Sequence, residues 1–276
     1  MPNLKCFSLH CGTETDLYDE EILSLLHRML NLEKLDLYLV VSCKNGFLDG
    51  NHLKENLLNH LTKLNQLTFN IRSTIRLDNQ TNTLSNEDIQ STFKDFANNR
   101  ILSSVDYFSQ MKQGQCHIYS YPYQWKEYHQ ITNHFPGIIS KYVREISLLD
   151  EQSFEHDFFL QISKSFALTR KLTLINEKAQ KNKNHHLSIT EYPHLSYLSL
   201  MDAHDDYIEE FFLQTNTCLP DNLHVTVDYQ GFKRVTQDFT SNATRNNCQK
   251  LRSLGLIERD QVPEYVKEYF PRTKFL

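Results

Sequence analysis

One short phrase recurs along the chain and limits what it can fold into: an apolar residue, two variable ones, an apolar residue, one variable, one apolar. Six copies read Leu4-Lys-Cys-Phe7-Ser-Leu9, Leu32-Glu-Lys-Leu35-Asp-Leu37, Leu64-Asn-Gln-Leu67-Thr-Phe69, Val143-Arg-Glu-Ile146-Ser-Leu148, Leu195-Ser-Tyr-Leu198-Ser-Leu200 and Leu251-Arg-Ser-Leu254-Gly-Leu256. Thr169-Arg-Lys-Leu172-Thr-Leu174 and Asn222-Leu-His-Val225-Thr-Val227 keep the last two apolar positions but put a polar residue first. The first positions, 4, 32, 64, 143, 169, 195, 222 and 251, are separated by 28, 32, 79, 26, 26, 27 and 29 residues. All but one of these spacings lie close to the roughly 20–29 residues of one strand-plus-helix unit.

The long spacing leaves room for further units. Gly114-Gln-Cys-His-Ile-Tyr-Ser-Tyr-Pro122 reads as a ninth strand that ends at proline, and Ser104-Val-Asp-Tyr-Phe108 is placed to pair with it across a turn at 112–114. Between the strands, apolar residues recur at steps of three and four, which predicts helices over 19–30, 51–61, 86–98, 124–135, 155–166, 205–213 and 234–246. Ile22, Leu25, Leu26 and Met29 form the clearest stripe, and Ser85 with Asp88 three residues on resembles a capping box.

Alternating strands and helices of near-constant period predict an α/β fold of the leucine-rich-repeat-like solenoid type. Its curved parallel sheet is expected on the concave side and its helices on the convex side, in a single domain over 1–276 with an irregular, hairpin-containing segment at about 72–140. A doubly wound sheet would not need one phrase repeated eight times. Such stacks also need caps. The end of the chain offers one in Pro263-Glu-Tyr-Val-Lys-Glu-Tyr-Phe270 and the Thr273-Lys-Phe-Leu276 tail, whereas the first phrase begins at Leu4, so the reading expects either that Met1 is an internal methionine of a longer protein or that this form has lost an N-terminal region.

Acidic and basic residues, 34 against 29, are interspersed and leave a net charge of −5, which disfavours nucleic acid and anionic membrane surfaces as partners. No apolar run approaches the ~20 residues that span a bilayer, and the first residues lack the pattern of a secretory signal, so the expected location is cytoplasmic or nuclear. Six cysteines spread over the chain without a CxxC pair read as reduced thiols. A glycine-rich phosphate loop, a GxSxG elbow and an HExxH helix are all missing from the sequence. The expectation is therefore no catalytic residue, no cofactor and no metal, with an accidental Cys–His pairing, an unrecognised hydrolase, as the remaining enzymatic alternative. His185-His186 beside Lys178, Lys181 and Lys183 reads as a surface loop. Asp202, Asp205, Asp206, Glu209 and Glu210 read as helix capping and solvation rather than a calcium loop.

Met1-Pro-Asn-Leu-Lys, Leu17-Tyr-Asp-Glu-Glu-Ile, Phe69-Asn-Ile-Arg-Ser73, Gly114-Gln-Cys-His-Ile-Tyr-Ser-Tyr-Pro-Tyr123, Val143-Arg-Glu-Ile-Ser, Ile175-Asn-Glu-Lys and Tyr265-Val-Lys-Glu-Tyr-Phe270 carry a resemblance. Over essentially its whole length the chain resembles the repeat region of a family of F-box proteins with leucine-rich-like repeats. The resemblance implies a non-enzymatic target-recognition region of a ubiquitin ligase substrate receptor. A ligase adaptor becomes a partner only where an F-box precedes the repeats, and this sequence has none. The alternative is a non-recruiting, truncated family member that acts as a decoy.

In the solenoid reading, residues alternating with the core positions line the concave sheet. Their central row is Ser8, Asp36, Thr68, Ser147, Thr173, Ser199, Thr226 and Gly255. In the next row Leu149, Ile175 and Met201 fall side by side, with Tyr197 close by, as a candidate stripe for binding a protein target. Overlying loops would bury the same stripe. Tyr121, Tyr123 and Trp125, at period two, are candidate interface anchors or equally packing residues of the irregular segment.

Overall fold

The computed structural model describes residues 4–77, 83–96, 100–182, 188–257 and 263–276. They form a mixed α/β structure with parallel sheets, divided into two compact units, Met1–Tyr123 and Gln124–Leu276.

In the first unit β1 (Cys6–Thr15) leads through a wide helical turn, Tyr18–Ile22, into α1 (Leu23–His27). β2 (Lys34–Cys43) is followed by α2 (Gly50–Leu53) and a second wide turn, Lys54–Leu58, then by β3 (Gln66–Arg76), α3 (Asn86–Ser91), β4 (Arg100–Phe108) and β5 (Gln113–Tyr121). The sheet order is β1-β2-β3-β5-β4, with the first three strands parallel and the last two a hairpin antiparallel to β3. The repeated phrase sets the register: Phe7 stands beside Leu35 and Leu67, and Leu9 beside Leu37 and Phe69. These positions bury one face of the sheet against Leu26, Met29, Leu53 and Leu57 of the helical segments. Helical period and strand period thus meet in one core.

The second unit repeats the scheme with more strands. Its elements are β6 (Glu127–Ile131), β7 (Glu145–Leu149), α4 (His156–Ser165), β8 (Lys171–Asn176), β9 (Thr190–Glu191), β10 (Tyr197–Ala203) and α5 (Asp205–Phe212). They continue with β11 (Thr217–Cys218), β12 (Leu223–Asp228), α6 (Tyr229–Val235), α7 (Asn242–Cys248), β13 (Leu251–Ile257), α8 (Glu264–Tyr269) and β14 (Lys274–Phe275). The main sheet, β14-β13-β12-β10-β8-β7-β6, is parallel throughout, and β9 and β11 make a separate two-stranded parallel pair. Across it Ile146, Leu172, Leu198, Val225 and Leu254 are consecutive neighbours. Phe154, Phe159, Phe166, Phe211, Phe212 and Phe232, all fully buried, fill the unit's core. Asn247, buried on α7, donates through its amide to the carbonyls of Phe211, Phe212 and Thr217 and so satisfies acceptors at the end of α5 and in the turn after it.

All eight phrases form strands, the hairpin at 104–122 is present, and Ser85 and Asp88 complete a reciprocal capping box. Two expectations need correction. The segment 124–135 is not a helix: it contains β6, which pairs in parallel with β7. Gln130 adopts φ +54° and the register slips between Tyr128 and Ile131, so both bury on one side although they are three apart. A bulge thereby reproduces helical spacing inside a strand. The predicted helix over 234–246 is two, α6 and α7, parted by Gln237, Asp238 and Phe239, all in the left-handed region, with Phe239 turned into the core. Lys183, His185 and His186, read as a surface loop, lie outside the described residues.

Gly50 starts α2 with its N–H donated to Thr92 Oγ1 at 2.8 Å, and a Cβ there would overlap the Thr92 backbone carbonyl. Gly50→Ala is expected to cost about 1–3 kcal/mol, the usual range for overpacking, read as a lower midpoint in urea unfolding.

Candidate functional site

The strand positions that alternate with the buried Leu172 and Leu174 define the other face of the second unit's sheet. Ser147, Thr173, Ser199, Thr226 and Gly255 are register neighbours there, a floor of small residues. One step towards the strand starts, Glu145, Lys171, Tyr197 and His224 follow one another across β7, β8, β10 and β12. Lys171 Nζ lies 2.6 Å from Glu145 Oε1 and 5.9 Å from the Tyr197 ring centre, and the Tyr197 hydroxyl shares a 3.2 Å hydrogen bond with Thr226 Oγ1. Tyr197 is thus held half-buried from both sides.

Two steps further along the strands the row begins Leu149–Ile175, directly paired, but the neighbour of Ile175 on β10 is Asp202. The register of β10 slips between Ser199 and Asp202, so Met201 does not stand beside Ile175 as a regular parallel register requires. The apolar surface survives in a broken form: Ile175 and Met201 are 38% and 42% exposed, and Leu149 is half-buried.

The aromatic group divides differently. β5 ends at Tyr121, so the alternation that places Tyr121, Tyr123 and Trp125 on one extended face does not continue. Tyr121 is half-buried under the Arg100 guanidinium, 4.9 Å from its ring centre, and Trp125 is half-buried. Tyr123 is a core residue, 1% exposed, and is not a partner-facing anchor. Its hydroxyl accepts from Asn70 Nδ2 at 2.7 Å, Asn70 Oδ1 lies 2.5 Å from His117 Nε2, and the Tyr119 ring packs edge-on at 5.2 Å. Asn70, Arg72 and Thr74 alternate along β3 and are all buried, as are Gln115, His117 and Asp106 on the neighbouring strands. Alternating polar residues on a strand read as solvent-facing, and only the folded packing shows otherwise.

Of the acidic cluster at 202–210, Asp202 is exposed, Asp205 and Glu209 are half-buried, Asp205 and Asp206 stand in the first turn of α5 as a capping role expects, and only Asp206 and Glu210 are buried. Asp205 takes a two-point contact from Arg234, with Nε and Nη2 at 2.5 and 2.9 Å, and buried Asp206 accepts the Gln180 N–H at 2.9 Å. Glu210 Oε1 lies 2.8 Å from His156 Nδ1, with side-chain exposures of 1% and 0%. His156 Nε2 lies 2.8 Å from the Ser188 carbonyl oxygen, which can only accept, so this nitrogen carries a proton. The pair ties α4 to α5 inside the unit.

Burial pushes the thiols of Cys43, Cys116 and Cys248 upward, Cys43 to about 12, the opposite of the lowered values that make thiolate nucleophiles. Among the described residues no group of three or more His, Cys, Asp or Glu is arranged to hold a metal ion, and no helix is long and apolar enough to cross a membrane. Compared with protein-family models, with curated proteins and with solved structures, the chain matches none.

Truncating His156 removes a buried, charge-assisted partner from Glu210. His156→Ala is expected to cost about 3–5 kcal/mol, whereas Glu145→Ala, which breaks the partly exposed pair with Lys171, costs under about 1 kcal/mol. Paired urea titrations compare the two.

Proposed function

We propose that this chain is the target-recognition repeat region of an F-box-type ubiquitin ligase substrate receptor, a leucine-rich-repeat-like solenoid that binds a protein and carries no chemistry of its own. Within each unit the parallel register of the phrases, three in the first and five in the second, supports the repeat reading, because paired strands contribute the same two core positions. The observation that carries the binding reading is the apolar surface on the outward strand face: exposed Ile175 and Met201 beside half-buried Leu149 and Tyr197. Contiguous apolar surface left exposed on a sheet marks partner sites, whereas single apolar side chains do not. The small floor of Ser147, Thr173, Ser199 and Gly255 lets another chain approach closely, and the rigid Tyr197 combines apolar area with a hydroxyl, as interface anchors do.

The occupant that fits is a polypeptide presenting one or two medium apolar side chains to Ile175 and Met201, with polar groups towards Lys171 and Glu145. Ubiquitin transfer would enter only where an F-box precedes the repeats in a longer form, docking the ligase adaptor in the cytoplasm or nucleus.

Ile175→Glu and Met201→Glu should each abolish capture of the proteins that bind the wild-type chain in cells, with unfolding midpoints unchanged. Leu30→Glu, also an exposed apolar position but off this face, should leave capture intact. Equal capture by all three variants would rule the strand face out.

A further inference from the structure

An open sheet ends in two edge strands, and each edge presents backbone N–H and C=O groups that another strand can take up. The edges of the two main sheets are β1 and β4 in the first unit and β6 and β14 in the second. Three of these carry a safeguard against pairing. β4 bears Arg100 and Asp106, and its Ile101 carbonyl already accepts from Gln90 Nε2 of α3 at 3.0 Å. β6 is broken by the bulge at Gln130, and β14 is two residues long. β1 keeps unbroken register from Cys6 to Cys11, its irregularity falling only between Cys11 and Glu14, and residues 6–13 include no proline and no Lys, Arg, Asp or Glu.

The geometry identifies the free side of β1. The Lys5 carbonyl accepts from the N–H groups of Glu33 and Lys34 at 2.8 and 2.9 Å. Backbone groups alternate sides along a strand, so Phe7 and Leu9 also aim theirs at β2, whereas Cys6, Ser8 and His10, all exposed, aim theirs away. Among the described residues no strand lies on that side. The core is open at the same place. Phe7, Leu9 and Cys11 pair with Leu35, Leu37 and Leu39 of β2, which are buried, yet they are themselves only half-buried.

We propose that β1 pairs antiparallel with β1 of a second copy of this chain, extending the five-stranded sheet across a twofold axis. The backbone groups call for a strand, and the side chains select a copy. With the axis through Leu9, that residue meets itself and Phe7 meets the second copy's Cys11, so each copy closes the half-open core of the other. Ser8 then stands opposite the second copy's His10 and the two exchange their outward N–H and C=O groups, twice by symmetry. Lys5 faces Thr13 and Glu14 faces Leu4, so no like charges are opposed. The contact is isologous, one patch meeting itself, and an edge without charge offers a foreign strand nothing to be chosen by. The inference does not rest on the strand face of the second unit.

The test keeps the full chain reduced, because Cys6 is exposed and a disulfide would mimic association. Sedimentation velocity across about 1 μM to 1 mM, the range of weak specific contacts, should show a reversible monomer–dimer equilibrium. Residue-resolved amide exchange then locates the contact: Phe7 and Leu9 are protected at every concentration, and Ser8 and His10 become protected only as the dimer forms. Ser8→Pro removes an N–H that β2 does not use, so it should weaken the dimer at least about tenfold while keeping the urea midpoint of the monomer. Leu9→Lys, which brings two ammonium groups together at the axis, should weaken it as much, and Ser8→Ala, which keeps the N–H, should associate like wild type. A dimer whose Ser8 and His10 amides stay unprotected, or association undiminished in both Ser8→Pro and Leu9→Lys, would overturn the proposal. So would a monomer throughout, which assigns the edge to a strand of another protein.

Discussion

Everything else in this molecule depends on the lateral register of two apolar residues per strand. In the second unit Ile146, Leu172, Leu198, Val225 and Leu254 are consecutive neighbours, and in the first Leu9, Leu37 and Phe69 are. Because side chains on a strand alternate sides, a slip of one residue would send these groups outward and the row of Ser147, Thr173, Ser199 and Thr226 into the core. Register therefore fixes the buried face and the outward face together. A parallel arrangement also forces a crossover between strands, and helices such as α4 and α5 return the chain while covering the apolar side.

Polar groups placed where they cannot reach water secure the repeats against one another. His156 and Glu210 join α4 to α5, and Asn247 reaches from α7 to the carbonyls after α5. Each contact crosses from one repeat to a later one, a distance of 54 residues for His156 and Glu210. Such groups are costly to bury and costlier to orphan, so they favour one alignment of neighbouring repeats over near alternatives.

Strand content was legible in the sequence because the phrase is local: Leu35 and Leu37 two apart, after Leu32, already declare a half-buried strand. The capping box at Ser85 and the 104–122 hairpin were legible for the same reason. The features that escaped depend on distant partners. Tyr128 and Ile131 look helical until β7 pairs with them and Gln130 bulges out, and Met201 aligns with Ile175 only if β10 is regular. Asp206 and Glu210 read as surface residues, and Tyr123 as either an anchor or a packing residue, because the groups that bury them, the Gln180 N–H, His156 and Asn70, lie 26, 54 and 53 residues away. Of the candidate stripe, Ile175 and Met201 are exposed and Leu149 and Tyr197 half-buried, and the slip in β10 changes how they adjoin.

The central claim is that the outward strand face of the second unit is a recognition surface. Site-specific photo-crosslinking tests it most directly, with a photoreactive side chain at Thr173, on the floor between Ser147 and Ser199, and the same group at Leu30 as reference. The account predicts discrete adducts with protein partners from Thr173, suppressed by excess unmodified chain, and none of these from Leu30. Adducts from Thr173 no more frequent than from Leu30, or unaffected by the competitor, would contradict it.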